Sequence, residues 1–164
     1  MSVKHYVKII LVLFTITVNI GCDQVSKKII RQNLRPTEAI HLFSNHVTIT
    51  RVENSGAFLS LGDSLPTTVK TILLSLLPIV TLTLGLFYVL TKHHFRNLSL
   101  IGFCFVIGGG IGNLFDRVVH GSVTDFLHVD FGFFQTGIFN MADLSIMMGI
   151  CIVVYQLSPK RKST

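Results

Sequence analysis

The sequence predicts a membrane protein of the all-α class, with four transmembrane helices, a small β-sheet on the outer side and an interfacial helix. Composition is the first indication: 49% of the 164 residues are hydrophobic, only 13% are charged, and the mean hydropathy is +0.63. A soluble domain of this length carries more charge. The second indication is a set of four apolar runs near the length of about 20 residues that crosses a hydrocarbon core.

The four apolar runs define the predicted spans, over residues 7–22, 69–90, 98–114 and 141–157. Two longer segments, residues 23–68 and 115–140, follow the first and third spans, and a short link joins the second span to the third. Together these runs predict a single integral membrane domain over residues 1–164.

Positive charge near the span ends predicts the orientation, because Lys and Arg are enriched on the cytoplasmic side. Such residues precede the first span, fill the short link and end the chain: Lys4, Lys8, Lys92, Arg96, Lys160, Arg161 and Lys162. Both termini are therefore predicted to be cytoplasmic. A cluster on the outer side opposes this orientation: Lys27, Lys28, Arg31 and Arg35. We expect these long side chains to reach phospholipid headgroups.

Charge and cysteine content limit the partners. A net charge of +6 favours an anionic membrane surface, and the chain has no interleaving of basic and aromatic residues that would indicate nucleic-acid binding. The three cysteines lie within spans or end one, so we predict three free, buried thiols and no disulfide.

The N-terminus also admits a different interpretation. Lys4 and Lys8, an apolar run and the sequence Asn-Ile-Gly-Cys at 19–22 look like a lipoprotein signal peptide with Cys22 as the lipidated residue. However, Asn19 stands where such signals usually have Leu. Asp23 and Lys27 then continue in a helical register, four residues apart and with the acid first. We therefore favour a first span that is retained.

The outer segments show strand and turn patterns. Residues 46–52 alternate between apolar and polar side chains, and residues 123–133 are rich in β-branched and aromatic ones, which predicts a small sheet. The sequence Asn-Ser-Gly-Ala-Phe at 54–58 predicts a turn, in which Gly56 adopts backbone angles that other residues avoid. The apolar residues that follow are expected in the membrane interface, as a simple apolar turn or as a lid: Phe58, Leu59, Leu61 and Leu65.

The third span ends in a glycine-rich run and then a polar cluster. The glycines at 108–110 and 112 follow no strand, so close helix packing through Gly108 and Gly112 explains them better than phosphate binding. Asn113, Asp116 and Arg117 are spaced to project from one side of the helix. An ion pair between Asp116 and Arg117 that ends the span is the structural alternative.

Two acids, Asp125 and Asp143, lie at the edges of apolar segments, where an ionised carboxylate is costly without a partner. Asp143 has a structural alternative, because Asn140 can cap the fourth helix and Asp143 then lies in its first turn. Asp125 has no such role. If the third and fourth spans pack side by side, the two carboxyl groups can share a proton and provide an acid and a base for peptide hydrolysis.

Other peptidase classes lack their residues. No His-Glu-x-x-His motif is present, and no histidine lies within a span to activate a serine. The carboxylate pair therefore predicts an aspartic peptidase that requires neither a metal nor a cofactor.

Five motifs occur in order along the chain: Asp23-x-x-Ser-Lys27, Asn54-x-Gly-Ala-Phe58, Gly109-Gly-x-Gly-Asn-x-x-Asp-Arg117, Val123-x-Asp-Phe126 and Phe139-Asn-x-Ala-Asp143. This set resembles the lipoprotein signal peptidase family, signal peptidase II. The resemblance implies an aspartic endopeptidase of the bacterial inner membrane that removes signal peptides from diacylglyceryl-modified prolipoproteins. It implies cleavage just before the lipidated cysteine, an active site near the periplasmic face, a small β-cradle there and inhibition by globomycin-like cyclic peptides.

The resemblance also implies residue roles. Asp125 and Asp143 would be catalytic, and Asp23 with Lys27 would be a supporting pair. The positions expected to orient the substrate and the two acids are Asn54, Gly56, Asn113, Arg117 and Asn140. The chain departs from the family pattern where one alanine, Ala57, precedes Phe58, where Gly110 replaces a frequent Ala and where Thr124 replaces Val or Ile.

A second function class remains open at this point. A small four-span protein with acids near the membrane is also compatible with a proton-coupled transporter or a channel component. No inverted repeat relates the two halves of the sequence, which disfavours a transporter. We expect membrane phospholipids as partners and a monomeric state.

Overall fold

The computed structural model describes residues 3–57, 60–92 and 97–158, apart from the side chain of Lys4. Within these residues, three helices are long and apolar enough to cross a membrane, over His5–Asn33, Thr67–Thr91 and Asn97–His120. The fourth apolar helix, Met141–Leu157, has 17 residues. At about 1.5 Å per residue it is about 25 Å long, slightly less than a hydrocarbon core of about 30 Å. The helical membrane class is confirmed, and the fourth span stays a prediction.

The first helix, α1, is longer than predicted. It runs without a break over Val3–Asn33, so the helix continues 11 residues past the predicted span, into the segment over residues 23–68. The extension is held by buried polar contacts, since Asp23 and Lys27 form an ion pair of 2.8 Å one helical turn apart, with both side chains fully buried. A helix end at residue 22 would leave that pair without a scaffold.

The second predicted span consists of three joined segments. Helix α2 covers Thr67–Thr71, a π-helical turn covers Ile72–Leu76, and helix α3 covers Leu77–Thr91. Pro78 lies at the start of α3. Because proline has no N–H to donate and its ring displaces the carbonyl one turn earlier, the helix widens in the residues before it.

Helix α4, Asn97–His120, packs against helix α5, Met141–Leu157, and against α1. A Cβ atom on Gly109 would lie 2.4 Å from the carbonyl oxygen of Ala142 in α5. On Gly108 and Gly112, it would lie 2.7 Å from Asn19 Cβ and 2.6 Å from Asp23 Oδ2 in α1. The predicted close helix packing is therefore confirmed, with different glycines facing different helices.

Three antiparallel strands form one sheet, in the order β1 (Ala39–Leu42), β2 (Val47–Asn54) and β3 (Val123–Val129). Residues from both outer segments pair, as predicted. Strand β3 ends at Val129 instead of residue 133, because the chain turns through Gly132, which has a φ of 79°. Phe139 then pairs back with Leu127 and leads into α5.

The remaining predictions for peripheral residues have mixed outcomes. All three cysteines are free, but only Cys104 is buried, while Cys22 and Cys151 are exposed on the helix surfaces. Residues 61–65 form turns, with Leu61 75% exposed. The interfacial helix stays a prediction, since Phe58 and Leu59 lie outside the described residues. The cytoplasmic location predicted for four basic residues also stays a prediction, since they lie outside the described residues: Arg96, Lys160, Arg161 and Lys162.

Candidate active site

One cavity of about 140 Å³ lies where the sheet meets the outer ends of the helices. Both predicted catalytic acids, Asp125 and Asp143, line it. Its other walls come from the loop after β2, the second and third spans and the segment before α5: Asn54, Ala57, Leu74, Pro78, Asn113, Arg117, Val123 and Ile138. The structure thus brings together acids that are 18 positions apart in sequence, and it adds amides from two distant elements.

Asp125 is held by two side-chain amides. It lies in β3, is 4% exposed, and accepts hydrogen bonds from Asn54 Nδ2 at 2.9 Å and from Asn140 Nδ2 at 2.6 Å. The orientation of the Asn54 amide is set by a third contact, because its oxygen accepts from the backbone N–H of Gly56 at 2.9 Å. Both carboxylate oxygens of Asp125 therefore have a donor.

Asp143 has both the structural role and a place in the cavity. Its Oδ2 accepts from the backbone N–H of Asn140 at 3.1 Å, and its own N–H donates to Asn140 Oδ1 at 3.0 Å. These contacts form the capping box of α5, so the capping alternative is confirmed. Its other oxygen, Oδ1, accepts from Asn113 Nδ2 at 2.8 Å. The cap therefore fixes Asp143 and leaves Oδ1 toward α4.

Asn113 and Asn140 connect the two acids. Asn140 Nδ2 also donates to Asn113 Oδ1, at 3.1 Å, and Lys27 Nζ donates to the same oxygen at 2.9 Å. Because a lysine ammonium can only donate, it fixes which end of the Asn113 amide faces it. The amino group of Asn113 is then directed to Asp143. A continuous set of hydrogen bonds runs from Asp125 through the two asparagines to Asp143.

A buried network of charged side chains contacts this set of hydrogen bonds through Lys27. Lys27 Nζ lies 2.8 Å from Asp23 and 3.0 Å from Asp116, and all three side chains are fully buried. Arg31 Nη2 lies 2.8 Å from Asp116. Asp116 thus pairs with Lys27 and Arg31 and not with Arg117, and it does not line the cavity. The expectation that Lys27 and Arg31 reach headgroups was wrong, because both contact buried carboxylates.

Sequence reasoning did not assign Gln24 to this network and gave Arg31 a different role. Gln24 Nε2 donates to Asp23 at 3.0 Å and to Asp116 at 3.2 Å, and Arg31 Nε donates to Thr124 Oγ1 at 2.8 Å. Gln24 and Arg31 follow Asp23 on α1 by one and eight residues, so both lie within a little over two helical turns of it. A long helix continuing past residue 22 was the signal that could have placed them inward.

Arg117 holds the loop that follows β2. Its Nη2 donates to the carbonyl oxygen of Gly56 at 2.9 Å, and its buried Nε has no acceptor among the described residues. Gly56 does not have the positive φ that the sequence suggested. It is required by space instead, since a Cβ there would lie 2.7 Å from the backbone of Ser60.

Burial, together with a smaller effect of the Asp143 charge, raises the pKa of Asp125 from 3.8 to about 6, against the hydrogen bonds from Asn54 and Asn140. Asp125 therefore takes up a proton more readily than an exposed aspartate. Next to a second carboxylate, such a group can exchange a proton with a water molecule and a substrate carbonyl. Among the described residues, no group of His, Cys, Asp or Glu is arranged to hold a metal ion.

The raised pKa of Asp125 predicts a pH dependence of stability. A carboxyl group with a higher pKa in the folded protein binds its proton more tightly there, so folding is favoured more as the pH falls from about 6 to 3.8. Relative to Asp125→Asn, the wild type should gain about 3 kcal/mol of unfolding free energy across that window. Denaturant unfolding in detergent at several pH values measures this gain. A constant difference between the two proteins would contradict the assignment.

Comparison with known proteins agrees with the sequence resemblance. Residues 15–158 match the family model described as Signal peptidase (SPase) II. The chain is 36% identical over 145 residues to the lipoprotein signal peptidase of Gloeobacter violaceus (88% of this chain, 80% of the relative). It is 38% identical over 144 residues to that of Chlorobium phaeobacteroides strain BS1 (80% and 86%).

The fold is also known. A bacterial membrane enzyme solved by the in meso method at 2.3 Å resolution superposes with a TM-score of 0.79 and 21% identity, covering 94% of each chain. A second such structure, at 1.9 Å, gives a TM-score of 0.77 with 21% identity and covers 92% of this chain and 94% of that one. The family model and the two named relatives do not favour a transporter or a channel component. The family model covers most of the chain, which therefore belongs to the signal peptidase II family of peptidases.

Proposed function

We propose that this chain is an aspartic endopeptidase that removes signal peptides from diacylglyceryl-modified prolipoproteins and cuts just before the lipidated cysteine. The observation that carries the proposal is the shared cavity of Asp125 and Asp143, in which every asparagine amide has a determined direction. Membership of the signal peptidase II family supports the substrate class. The relatives in that comparison are called lipoprotein signal peptidases.

The chemistry follows from one carboxylate and one carboxylic acid. The ionised member takes a proton from a water molecule as the water oxygen bonds to the peptide carbonyl carbon. The protonated member gives its proton to the carbonyl oxygen, which produces a neutral tetrahedral intermediate. The intermediate then collapses as a proton moves to the nitrogen and the C–N bond breaks. A new carboxyl group ends the signal peptide, and a new amino group begins the lipidated cysteine.

The neighbouring residues have separate roles in this proposal. Asn54 and Asn140 hold the Asp125 carboxyl, and Asn113 holds the Asp143 carboxyl. Arg117 binds the Gly56 carbonyl and so fixes the loop that forms one wall of the cavity. This loop, together with the residues after it, is the part of the chain that would close over an extended substrate.

The location of the cavity agrees with a substrate that is itself in the membrane. Asn113 lies in the candidate span Asn97–His120, and Asp143 lies in the first turn of α5. We propose four spans in one domain over residues 1–164, in the bacterial inner membrane, with cytoplasmic termini and the sheet in the periplasm. The burial of Lys27 and the pairing of Arg31 support this orientation, because two of the four opposing charges now have carboxylate partners.

The N-terminal helix is part of the proposed enzyme and not a removed signal. Residues on both sides of Cys22 contact α4, since Asn19 packs on Gly108 and Asp23 packs on Gly112. Asp23 Oδ1 also accepts from the backbone N–H of Ala142 at the start of α5, at 2.9 Å. Cleavage before Cys22 would remove Asn19 and leave Gly108 without its neighbour. We further propose a monomer that globomycin-like cyclic peptides inhibit.

The proposal is tested by cleavage of a purified prolipoprotein in detergent. The wild-type chain should cut the diacylglyceryl-modified precursor and leave the unmodified precursor intact, and chelators should not inhibit it. Mass spectrometry of the product should find the new amino terminus at the lipidated cysteine. Equal cleavage of both precursors, or a cut at another bond, would refute the substrate assignment.

A further inference from the structure

A second cavity, of about 190 Å³, adjoins the candidate active site at the outer end of the second predicted span. Arg117 and Leu74 line both cavities. The walls come from the loop after β2, the start of the second span and the end of α4: Ser55, Thr67, Lys70, Thr71, Leu74, Ser75, Arg117 and Gly121. We call it the basic cavity. Neither Asp125 nor Asp143 belongs to its walls.

The side chains of the basic cavity favour an anion. Two of them, Lys70 and Arg117, are cations, four carry hydroxyl groups, and none of the lining residues is a carboxylate. Three of the hydroxyl residues, Thr67, Thr71 and Ser75, follow at intervals of four along the start of the second span. Ser55 and Thr71 already donate their hydroxyl protons, to Asp63 and to the Thr67 carbonyl oxygen, so Thr67 and Ser75 supply the O–H donors. Charged donors combined with neutral O–H donors are the groups that bind phosphate oxygens.

Both cations keep capacity for a further acceptor. Lys70 Nζ donates to Ser55 Oγ at 2.9 Å and to Asp63 Oδ1 at 3.3 Å, which leaves one of its three N–H groups. Arg117 has the buried Nε without an acceptor among the residues that the structure describes. That nitrogen is closed to water, but the two terminal nitrogens of Arg117 donate, within the described part of the chain, to the carbonyl oxygens of Asn113 and Gly56 alone, which leaves N–H groups for a ligand.

Asp63 reduces the charge of the basic cavity but does not cancel it. Hydrogen bonds from Ser55 and Lys70 hold the pKa of Asp63 below its ordinary value, so it is ionised at neutral pH. Its side chain is 56% exposed and does not line the cavity. Water therefore screens its interaction with Lys70. The second positive charge, on Arg117, is partly offset by the nearby carboxylates of Asp143, Asp125 and Asp116, so part of each charge remains in a cavity that no carboxylate lines.

The position in the membrane selects the source of the anion. The candidate span Thr67–Thr91 begins at the basic cavity, so the site lies at the end of an apolar helix, where phospholipid headgroups are located. We propose that the basic cavity binds the phosphate of an anionic phospholipid of the phosphatidylglycerol class. The acyl chains of that lipid would lie along the exposed face of the second span, where Leu73 is 45% exposed.

Such a lipid would also stabilise the loop at the candidate active site. Ser55, which Lys70 binds, lies between Asn54, which donates to Asp125, and Gly56, which accepts from Arg117. A headgroup bound by Lys70 and Arg117 is therefore linked to this short loop through the contacts of these two side chains with Ser55 and Gly56. The inference concerns lipid binding, and its test does not depend on peptide cleavage.

The test measures phosphatidylglycerol bound to the full-length protein by native mass spectrometry from detergent. Dioleoylphosphatidylglycerol should bind the wild type with one site that is tighter than the others. Lys70→Gln should weaken this site about fivefold, which corresponds to about 1 kcal/mol. Lys28→Gln is the matched control, because Lys28 is exposed at the same end of the protein, on α1. It should leave the affinity of the site unchanged.

Further measurements separate the possible sources of the anion. Ser75→Ala keeps every charge, removes one hydroxyl group of the cavity wall and should also weaken the site, so it serves if Lys70→Gln does not fold. Inorganic phosphate should compete poorly, and dioleoylphosphatidylcholine should bind more weakly. The inference is overturned if Lys28→Gln lowers binding as much as Lys70→Gln. It is also overturned if inorganic phosphate displaces the lipid at equal concentration, which would indicate a site for free anions.

Discussion

Asp125→Asn and Asp143→Asn should each lower cleavage of a diacylglyceryl-modified prolipoprotein about a thousandfold, because the loss of general acid or base catalysis has an effect of that order. Asparagine keeps the size of the side chain but cannot exchange a proton. In Asp143→Asn, the amide oxygen can still accept from the Asn140 backbone, so the α5 cap should persist. The measurement is the cleavage rate of the purified proteins at saturating substrate.

The control for these two variants is Asp130→Asn. Asp130 lies at the far end of the sheet, where its Oδ1 accepts from the backbone N–H of Gly132 at 2.7 Å, a contact that an amide oxygen can also make. Its cleavage rate should equal that of the wild type. If Asp125→Asn or Asp143→Asn cleaved at the wild-type rate, the proposed pair would be wrong. Intact folding of each variant is checked by circular dichroism in the same detergent.

Lys27→Met should lower the free energy of unfolding by about 3–5 kcal/mol, the usual cost of removing one partner from a buried ion pair. Methionine has a similar volume but leaves Asp23 without its cation, in a position that water does not reach. Asp116 keeps Arg31, so the larger part of the loss comes from Asp23. The measurement is unfolding by denaturant in detergent micelles.

Two further variants identify the cause of the lower free energy of unfolding. Lys28→Met changes the next residue, which is exposed on the same helix, and should be nearly neutral. Adding Asp23→Asn to Lys27→Met removes the unpaired carboxylate and should recover part of the stability. Equal destabilisation by Lys27→Met and Lys28→Met would mean that the buried ion pair does not stabilise the fold.

Lys27→Met should also slow cleavage beyond its effect on stability. The Lys27 ammonium fixes the direction of the Asn113 amide, which in turn donates to Asp143. Without it, the Asn113 oxygen keeps only the donor of Asn140, so the amide is held less firmly against the Asp143 carboxylate. The measurement is the cleavage rate of the folded variant at saturating substrate. Lys27 does not line the cavity, but it acts on the Asp143 carboxyl through Asn113.

Local patterns in the sequence were enough to predict the long helices and two of the three strands, whereas β1 and the π-helical turn were not predicted. An apolar run is visible in neighbouring residues, so the third and fourth predicted spans match α4 and α5 closely. The exception is the end of α4, which extends six residues past residue 114. The alternation at 46–52 predicted β2 for the same reason. The pattern was insufficient where polar residues are buried, because Lys27 and Arg31 look like surface residues until their carboxylate partners are known.

The sequence by itself determined that this is a helical membrane protein with acids beside its spans, and its five motifs indicated the family. Only the tertiary structure decided which acids share a cavity. It placed Asp116 in an ion network and Asp125 with Asp143 beside three directed amides. It also decided that Gly56 is required by the nearby Ser60 backbone and not by its own φ. The physical reason is distance along the chain: hydrophobic periodicity is a local property, whereas contacts between residues 27, 54, 113 and 143 exist only after the helices and the sheet pack together.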